Sequence, residues 1–291
     1  MRKNAIIRIV IFSIVIVILA GLLITGIAAG RFFSFHFNGR SEISGNLSSS
    51  GSVAASEIHN LEIEWVSGSI TIIPTEGNTI SFEETGAKDE SEMMVWEQSG
   101  STLTIRFCQD NIEDFISFGI DVDHSKDLTI HVPADWNCSE LDIDSVSAKI
   151  EVTDLTVNDI DLDNVSGICT FADCNVGIMT LDTVSGDIRF GGTLNTLECD
   201  AVSANCIVAV TNTPQRIDMD GVSGDLDLTL PEGCGFTASV DTASGGFSSD
   251  FPTTSSNGNY VYGDGTCRIN ISGVSGDATI RNGSGSQAKN G

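Results

Sequence analysis

The chain has 291 residues, with 40 acidic against 14 basic side chains and a formal charge of −26. Such a surface repels nucleic acid, whose recognition needs basic patches, and it repels anionic membrane surfaces. It admits cationic peptides, basic proteins and divalent metal ions as partners, and it also keeps a surface protein soluble.

In chain order the first element is apolar. No residue from Ile9 to Gly30 is charged, and Arg2, Lys3 and Arg8 precede the run. About 20 apolar residues span a bilayer as a helix. The flanking basic residues keep the amino end in the cytoplasm and place the rest outside. Residues 1–30 therefore read as a transmembrane signal-anchor, giving a single-pass membrane protein with an extracellular carboxyl-terminal domain. The alternative is a cleaved signal peptide, for which Gly26-Ile27-Ala28 offers small residues. Residues 31–56 read as a juxtamembrane linker. It opens on Phe32, Phe33, Phe35 and Phe37 at the membrane interface and ends in a flexible spacer, Ser41 to Ser56.

From 57 to 137 the pattern is β but irregular. Leu61 to Ile73, Thr79 to Glu83, Met93 to Glu97, Leu103 to Phe107 and Leu128 to Val132 read as strands. Gly77-Asn78 and Ser99-Gly100 read as turns. These residues are expected to cap the open end of a regular repeat that begins at 138.

A phrase close to Val-Ser-Gly dominates that repeat. Its copies start at Val66, Val146, Val165, Val184, Val202, Val222, Ala243 and Val274. A period of about 19 residues is the mark of a solenoid. Three residues before the Val stand Ile63, Ile143, Leu162, Leu181, Cys199, Met219, Val240 and Ile271; five before stand Leu61, Leu141, Ile160, Met179, Leu197, Ile217, Ala238 and Ile269. Polar residues separate them, which is the period of two of a half-buried strand. Four and six residues after the Val the apolar series resumes, with only Ser249 breaking it. Each rung is thus expected as strand, corner, strand and return loop, with the Val turned inward at the corner and Gly supplying the bend. The fold class is all-β: a single-chain parallel β-solenoid over 57–282, with regular rungs over 138–282 and a flexible tail over 283–291.

Two residues before the Val stand Asp144, Asp163, Asp182, Asp200, Asp220 and Asp241, with Glu64 and Ser272 in the other two copies. Stacking makes these a column of carboxylates that repel one another. Either each Asp caps its corner by accepting amide hydrogen bonds, or the column binds cations such as calcium. No other cofactor is indicated. Clustered Asp residues also serve some β-helix enzymes that act on carbohydrate, but a catalytic cluster should occur once and break the repeat. No Gly-x-Ser-x-Gly elbow, phosphate loop or His-Glu-x-x-His run is present, and no catalytic residue is assigned.

The eight cysteines, at 108, 138, 169, 174, 199, 206, 234 and 267, lack zinc-site spacing. Several fall at core positions and read as buried thiols. Cys199 and Cys206 lie on the two strands of one rung, as a bridge or as a thiol pair. Cys234 and Cys267 fall in loops and are the better candidates for a disulfide.

Leu228-Thr229-Leu230-Pro231-Glu232-Gly233, Phe236 and Asp241-Thr242-Ala243-Ser244-Gly245 resemble the bacterial putative-adhesin domain, also called toast-rack. Thr183-Val184-Ser185-Gly186-Asp187-Ile188 is similar to its recurring phrase, and Ile130-His131-Val132-Pro133-Ala134-Asp135 to its Pro-containing segment. The resemblance covers about residues 57 to 282. It implies a β-solenoid of the bacterial cell envelope, associated with Lia-type envelope-stress systems and with no catalytic residues. The expected function is a membrane-anchored extracellular binding or scaffolding module. Its partner would be a cell-envelope component, a cationic peptide or a partner protein, not nucleic acid. A cation-stabilised structural spacer is the alternative, with a carbohydrate-active enzyme after it.

Overall fold

Strict alternation of apolar and polar residues, rich in Val, Ile and Thr, favours strands wherever it runs. The computed structural model describes residues 45–108, 125–256 and 258–283. The expected membrane-spanning segment 1–30 and the tail from 284 lie outside these residues, as does the first part of the linker. The described chain is all-β, and its eighteen strands join one open sheet. Two short 3-10 turns, Ala55–Glu57 and Glu90–Glu92, are the helical elements among the described residues.

The repeats stack in parallel. β3 (Asn60–Thr75) pairs with β8 (Asn137–Thr153), setting Leu61 beside Leu141 and Ile63 beside Ile143. β8 pairs with β9 (Thr156–Asn164), and β9 with part of the long β10 (Ile168–Val210), so Leu141, Ile160 and Met179 continue one ladder. The aligned copies of the sequence are therefore also the spatial register. Of the sixteen residues three and five before the Val, all but Val240 are buried. Burying such a column on both sides of a shared core is the main stabilising term, at about 25 cal/mol per Å² of apolar surface.

Two local expectations are corrected. The return segment is itself paired strand: Val157 sits between Cys138 and Val176. The corner valines do not all turn inward. Val66 and Val146 are buried, but Val274 is 40% exposed. The alternation instead runs one step further, to the residue just before the Val. There Trp65, Ser145, Asn164, Thr183 and Ala201 are buried. The strand keeps its pleat to the last residue before the bend, so parity rather than hydrophobicity decides which side chain enters the core.

Both ends of the stack depart from sequence order. At the amino end β6 (Thr102–Arg106) and β7 (Lys126–Pro133) lie outside β3 and pair with it in parallel. Lying between the first two copies in sequence, they form an extra rung outside the first copy in the stack. β4 (Thr79–Thr85) then runs antiparallel to β7, and β5 (Val95–Ser99) antiparallel to β6. Residues 46–54, expected as part of a spacer, form β1 (Asn46–Leu47) and β2 (Ser50–Ala54), antiparallel to β5 and β4. Val53 and Ala55 are buried there, so the segment covers an edge that would otherwise stay open.

At the carboxyl end the last rung is inserted. β11 (Arg216–Ser223) and β12 (Leu226–Leu230) carry the sixth copy, β13 (Phe236–Ser244) and β14 (Phe247–Ser249) the seventh. β17 (Cys267–Ser275) and β18 (Ala278–Asn282) carry the eighth. β11 pairs with β17, and β17 with β13; β12 pairs with β18, and β18 with β14. The eighth copy thus lies between the sixth and the seventh. β16 (Asn259–Tyr262) and β15 (Thr254–Ser256) close the outer edge with antiparallel pairing to β13 and to each other.

Candidate functional site

The outward positions of the first strand in each rung carry the charge. Glu62 and Glu64 on β3 face Asp142 and Asp144 on β8, which face Asp161 and Asp163 on β9. Asp182 on β10 then faces Asp163. Strand neighbours are about 4.8 Å apart, so two columns of carboxylates share one sheet face. The ends of the columns are compensated. Arg106 pairs with Glu64 at 3.1 Å, and the Thr104 hydroxyl donates to Glu62 at 3.0 Å. At the other end Arg216 pairs with Glu198 at 3.0 Å and with Asp218. Asn270 Nδ2 donates to Asp218 at 2.7 Å, and the Ser272 hydroxyl donates to Asp220.

The middle has no such compensation. Among the described residues no cation pairs with Asp142, Asp144, Asp161, Asp163 or Asp182. Partial burial and the surrounding carboxylates push Asp142 up to about 6 and Asp144 up to about 7. Asp163 and Asp182 are raised for the same reasons, burial first. Rungs two to four therefore present a field of carboxylates in which Asp142, Asp144, Asp163 and Asp182 hold protons tightly, and the field gains from any cation brought against it.

The expected column is assembled only in part. Asp144, Asp163 and Asp182 are strand neighbours, and so are Asp200 and Asp220, but Ser272 of the inserted rung separates Asp220 from Asp241. Among the described residues no three His, Cys, Asp or Glu side chains are arranged to hold a metal ion. The corner amides also go elsewhere: Ser166 N donates to Val146 O at 2.9 Å and Ser185 N to Val165 O at 3.0 Å. Side-chain capping occurs instead three residues after the Val. Asn205 Oδ1 accepts from Asp225 N at 3.3 Å, Asp225 Oδ1 from Asp277 N at 2.8 Å, and Asp277 Oδ1 from Gly246 N at 2.7 Å. That ladder follows the spatial order of rungs, with the eighth copy before the seventh.

A second charged group escaped the sequence reading. Lys126 is 2% exposed. Its Nζ donates to Glu84 Oε2 at 2.6 Å, to Glu92 O at 2.6 Å and to Phe107 O, and it lies 4.1 Å from the Phe107 ring centre. Glu84 Oε1 accepts from Met94 N at 2.7 Å. Burial lowers the lysine's affinity for its proton, and Glu84 opposes that. The signal was present: Lys126 precedes Leu128, Ile130 and Val132 at inward parity, and Glu84 follows Ile80 and Phe82 in the same way. Two opposite charges at core parity in one cap imply a buried pair. The cluster ties β4 and β7 to the segments around Glu92 and Phe107, and its role is structural.

All eight cysteines are unbridged and buried. Burial pushes the Cys138 and Cys169 thiols up to about 12. Cys199 Sγ and Cys206 Sγ lie 3.4 Å apart across the core of one rung. Cys267, expected in a loop, is the first residue of β17, and its amide donates to Gly235 O at 3.0 Å, next to Cys234. The neighbouring Cys267 holds the Cys234 proton affinity down, to about 7, and Cys234 raises that of Cys267.

Residues 58–213 match the family described as Toastrack DUF4097. No curated protein matches the chain. Three solved structures are similar. A putative cell adhesion protein from Clostridium sporogenes ATCC 15579 is 10% identical, with a TM-score of 0.38, over 80% of this chain and 97% of that one. A putative adhesin from Bacteroides fragilis NCTC 9343 is 12% identical, with a TM-score of 0.43, over 80% and 95%. A putative adhesin from Parabacteroides distasonis ATCC 8503 is 12% identical, with a TM-score of 0.32, over 82% and 98%. Likenesses of this size carry no argument about activity or partner.

Proposed function

Because the chain belongs to the Toastrack DUF4097 family, which matches it over residues 58–213, we propose that it is a binding or scaffolding module of the cell envelope rather than an enzyme. In this reading residues 1–30 anchor it in the membrane and the β domain lies outside. The stacked parallel rungs act as a solenoid, a stiff support that holds one acidic face toward its partner. The observation that supports this most is the uncompensated carboxylate field of Asp142, Asp144, Asp161, Asp163 and Asp182 on adjacent strands. Carboxylates with raised proton affinity are relieved by any cation that replaces the proton, so a cationic peptide, a basic protein or positively charged wall material is the electrostatic complement.

The test is binding of the full chain in detergent to isolated cell-wall material and to a Lys/Arg-rich peptide over a salt series. Retention that weakens steeply with salt, and that is lost in the Asp142→Asn/Asp144→Asn/Asp163→Asn variant, supports the proposal. Absence of salt-sensitive binding to either probe overturns it. A calcium arm addresses the spacer alternative. A melting temperature raised by millimolar calcium, and lowered again by a chelator, would favour a cation-stabilised support over a docking face.

A further inference from the structure

Seven of the eight thiols fall into two groups. Cys138 Sγ donates to Glu140 O at 3.1 Å and Cys174 Sγ to Ala172 O at 3.4 Å, while Cys169 Sγ accepts from Asn164 Nδ2 at 3.6 Å. Each of these three has a partner that is not sulphur. The other four form two neighbouring pairs: Cys199 Sγ lies 3.4 Å from Cys206 Sγ, and Cys234 meets Cys267 where β17 docks beside β13. A disulfide needs sulphurs about 2.05 Å apart with the β-carbons turned toward each other. The sulphurs of Cys199 and Cys206 already lie 3.4 Å apart. Both are buried, three residues before and four after the corner Val202, and this rung alone carries Cys at both places. Cys234 and Cys267 are brought together through the pairing of Phe236 with Cys267 and the bond from Cys267 N to Gly235 O, 3.0 Å.

We propose that this chain carries two disulfide-forming sites, Cys199–Cys206 and Cys234–Cys267, and that the second locks the inserted rung in place. The span 234–267 contains the whole outer rung and its covering hairpin. A bridge there ties the first residue of β17 to the turn that leads into β13. It fixes the slot that β17 and β18 fill, and it restricts the unfolded chain most because its loop is the longer of the two.

Each bridge forms by exchange. A thiolate of the pair attacks the disulfide of an oxidant, either oxidised glutathione or an oxidoreductase, and displaces one of its sulphurs as a thiolate. The second thiolate then attacks the protein sulphur of the mixed disulfide and displaces the other. The protein S–S bond forms, the oxidant's S–S bond breaks, and the two protons lost by the protein end on the departing thiols. Both sulphurs are sealed once β17 is docked, at 2% and 0% exposed. Exchange therefore belongs to the folding chain, and the finished bridge is shielded from reductant.

That oxidation occurs in the cell rests on the exported placement proposed above; that these sulphurs join rests on the geometry alone. The experiment separates the two. The full chain in detergent is unfolded, refolded in a glutathione redox buffer, alkylated and mapped by non-reducing mass spectrometry. The expected map has one peptide lighter by two hydrogens across Cys199 and Cys206, one linked pair of peptides through Cys234 and Cys267, and Cys138, Cys169 and Cys174 alkylated. Alkylated sulphur at the four proposed positions, or shuffled pairing, overturns the proposal. The double variant Cys234→Ser/Cys267→Ser is expected to lose the rise in melting temperature that oxidation gives the wild type while matching it under reductant. Equal melting of the oxidised and reduced wild type would overturn the locking role. A second arm traps the thiols in living cells with a membrane-permeant maleimide. Bridges found there support both readings. Bridges formed only on refolding overturn the exported placement and leave the pairing standing.

Discussion

Gly186 has a backbone φ of 131°, and a β-carbon added to it would overlap the carbonyl oxygen of Gly167 on the neighbouring rung. Gly224 and Gly276 repeat that approach against Ala204 and Gly224. Two separate demands therefore meet at the corner, a left-handed conformation and room for the next rung. Gly186→Ala is expected to destabilise by about 3 kcal/mol or more. Gly77→Ala, at a positive φ but with nothing within 4 Å of the added carbon, isolates the first demand. It should cost only about 1 kcal/mol. Urea midpoints of the two variants check the difference. Asp142 and Asp144 make a second prediction at this scale. Their folded-state pKa values, about 6 and about 7, lie above the ordinary 3.8. Between about pH 4 and pH 7 the folded chain holds protons that the unfolded chain has released, so stability falls as pH rises through that window. The charges that face them are Glu62, Glu64, Glu140, Asp161 and Asp163. Asp144→Asn is expected to flatten the slope and raise the urea midpoint at pH 7.5; an unchanged pH profile would contradict it. The residue just before the corner shows where sequence reading stopped. Trp65, Ser145, Asn164 and Thr183 share no chemistry, so nothing marked them as one inward column, while the apolar Val beside them drew the assignment.

Among elements, strand identities were legible and strand order was not. Alternation predicts Leu61 to Ile73 and Thr79 to Glu83, observed as Asn60–Thr75 and Thr79–Thr85. It cannot say that the eighth copy lies between the sixth and seventh, because every rung offers the same ladder of backbone groups and the same aliphatic positions. What distinguishes the slot is local: Ser272 stands where the other copies carry an acid, and its hydroxyl reaches Asp220. In the same way the amino-terminal cap was legible as strands, while its extra rung, β6 and β7, was not, since the chain leaves copy one and returns before copy two. Removal of residues 267–291 should therefore expose edges on both sides of the slot. Amide exchange is expected to accelerate throughout 216–249 while 60–164 stays protected. Fast exchange confined to 236–249 would contradict the insertion.

For the whole molecule, charge is the governing quantity. A formal −26 with carboxylates on neighbouring strands makes self-repulsion a standing cost. The Debye length falls from about 30 Å at 0.01 M salt to about 3 Å at 1 M, below the strand spacing. Melting temperature at pH 7.5 should thus rise with sodium chloride, and the rise should shrink at pH 5, where Asp142 and Asp144 carry protons. A melting temperature indifferent to salt at pH 7.5 would mean that the acidic face is already compensated. The sign of the charge was legible from composition. Its concentration on rungs two to four was not, because Arg106 and Arg216 find their acids across strands brought together only by folding.

The inserted rung also bears on how the protein is made. A chain synthesised from its amino end produces β11 and β13 long before β17, and these two strands are not neighbours in the finished sheet. They must wait, a strand's width apart or wrongly joined, until β17 arrives. A product cut short before Cys267 is left with two bare parallel edges, the kind of surface that recruits other strands. Such a product would be marked for removal by its own unfinished hydrogen bonds. The sixth and seventh copies are thus completed only when the eighth has been made, and the fold registers whether it has.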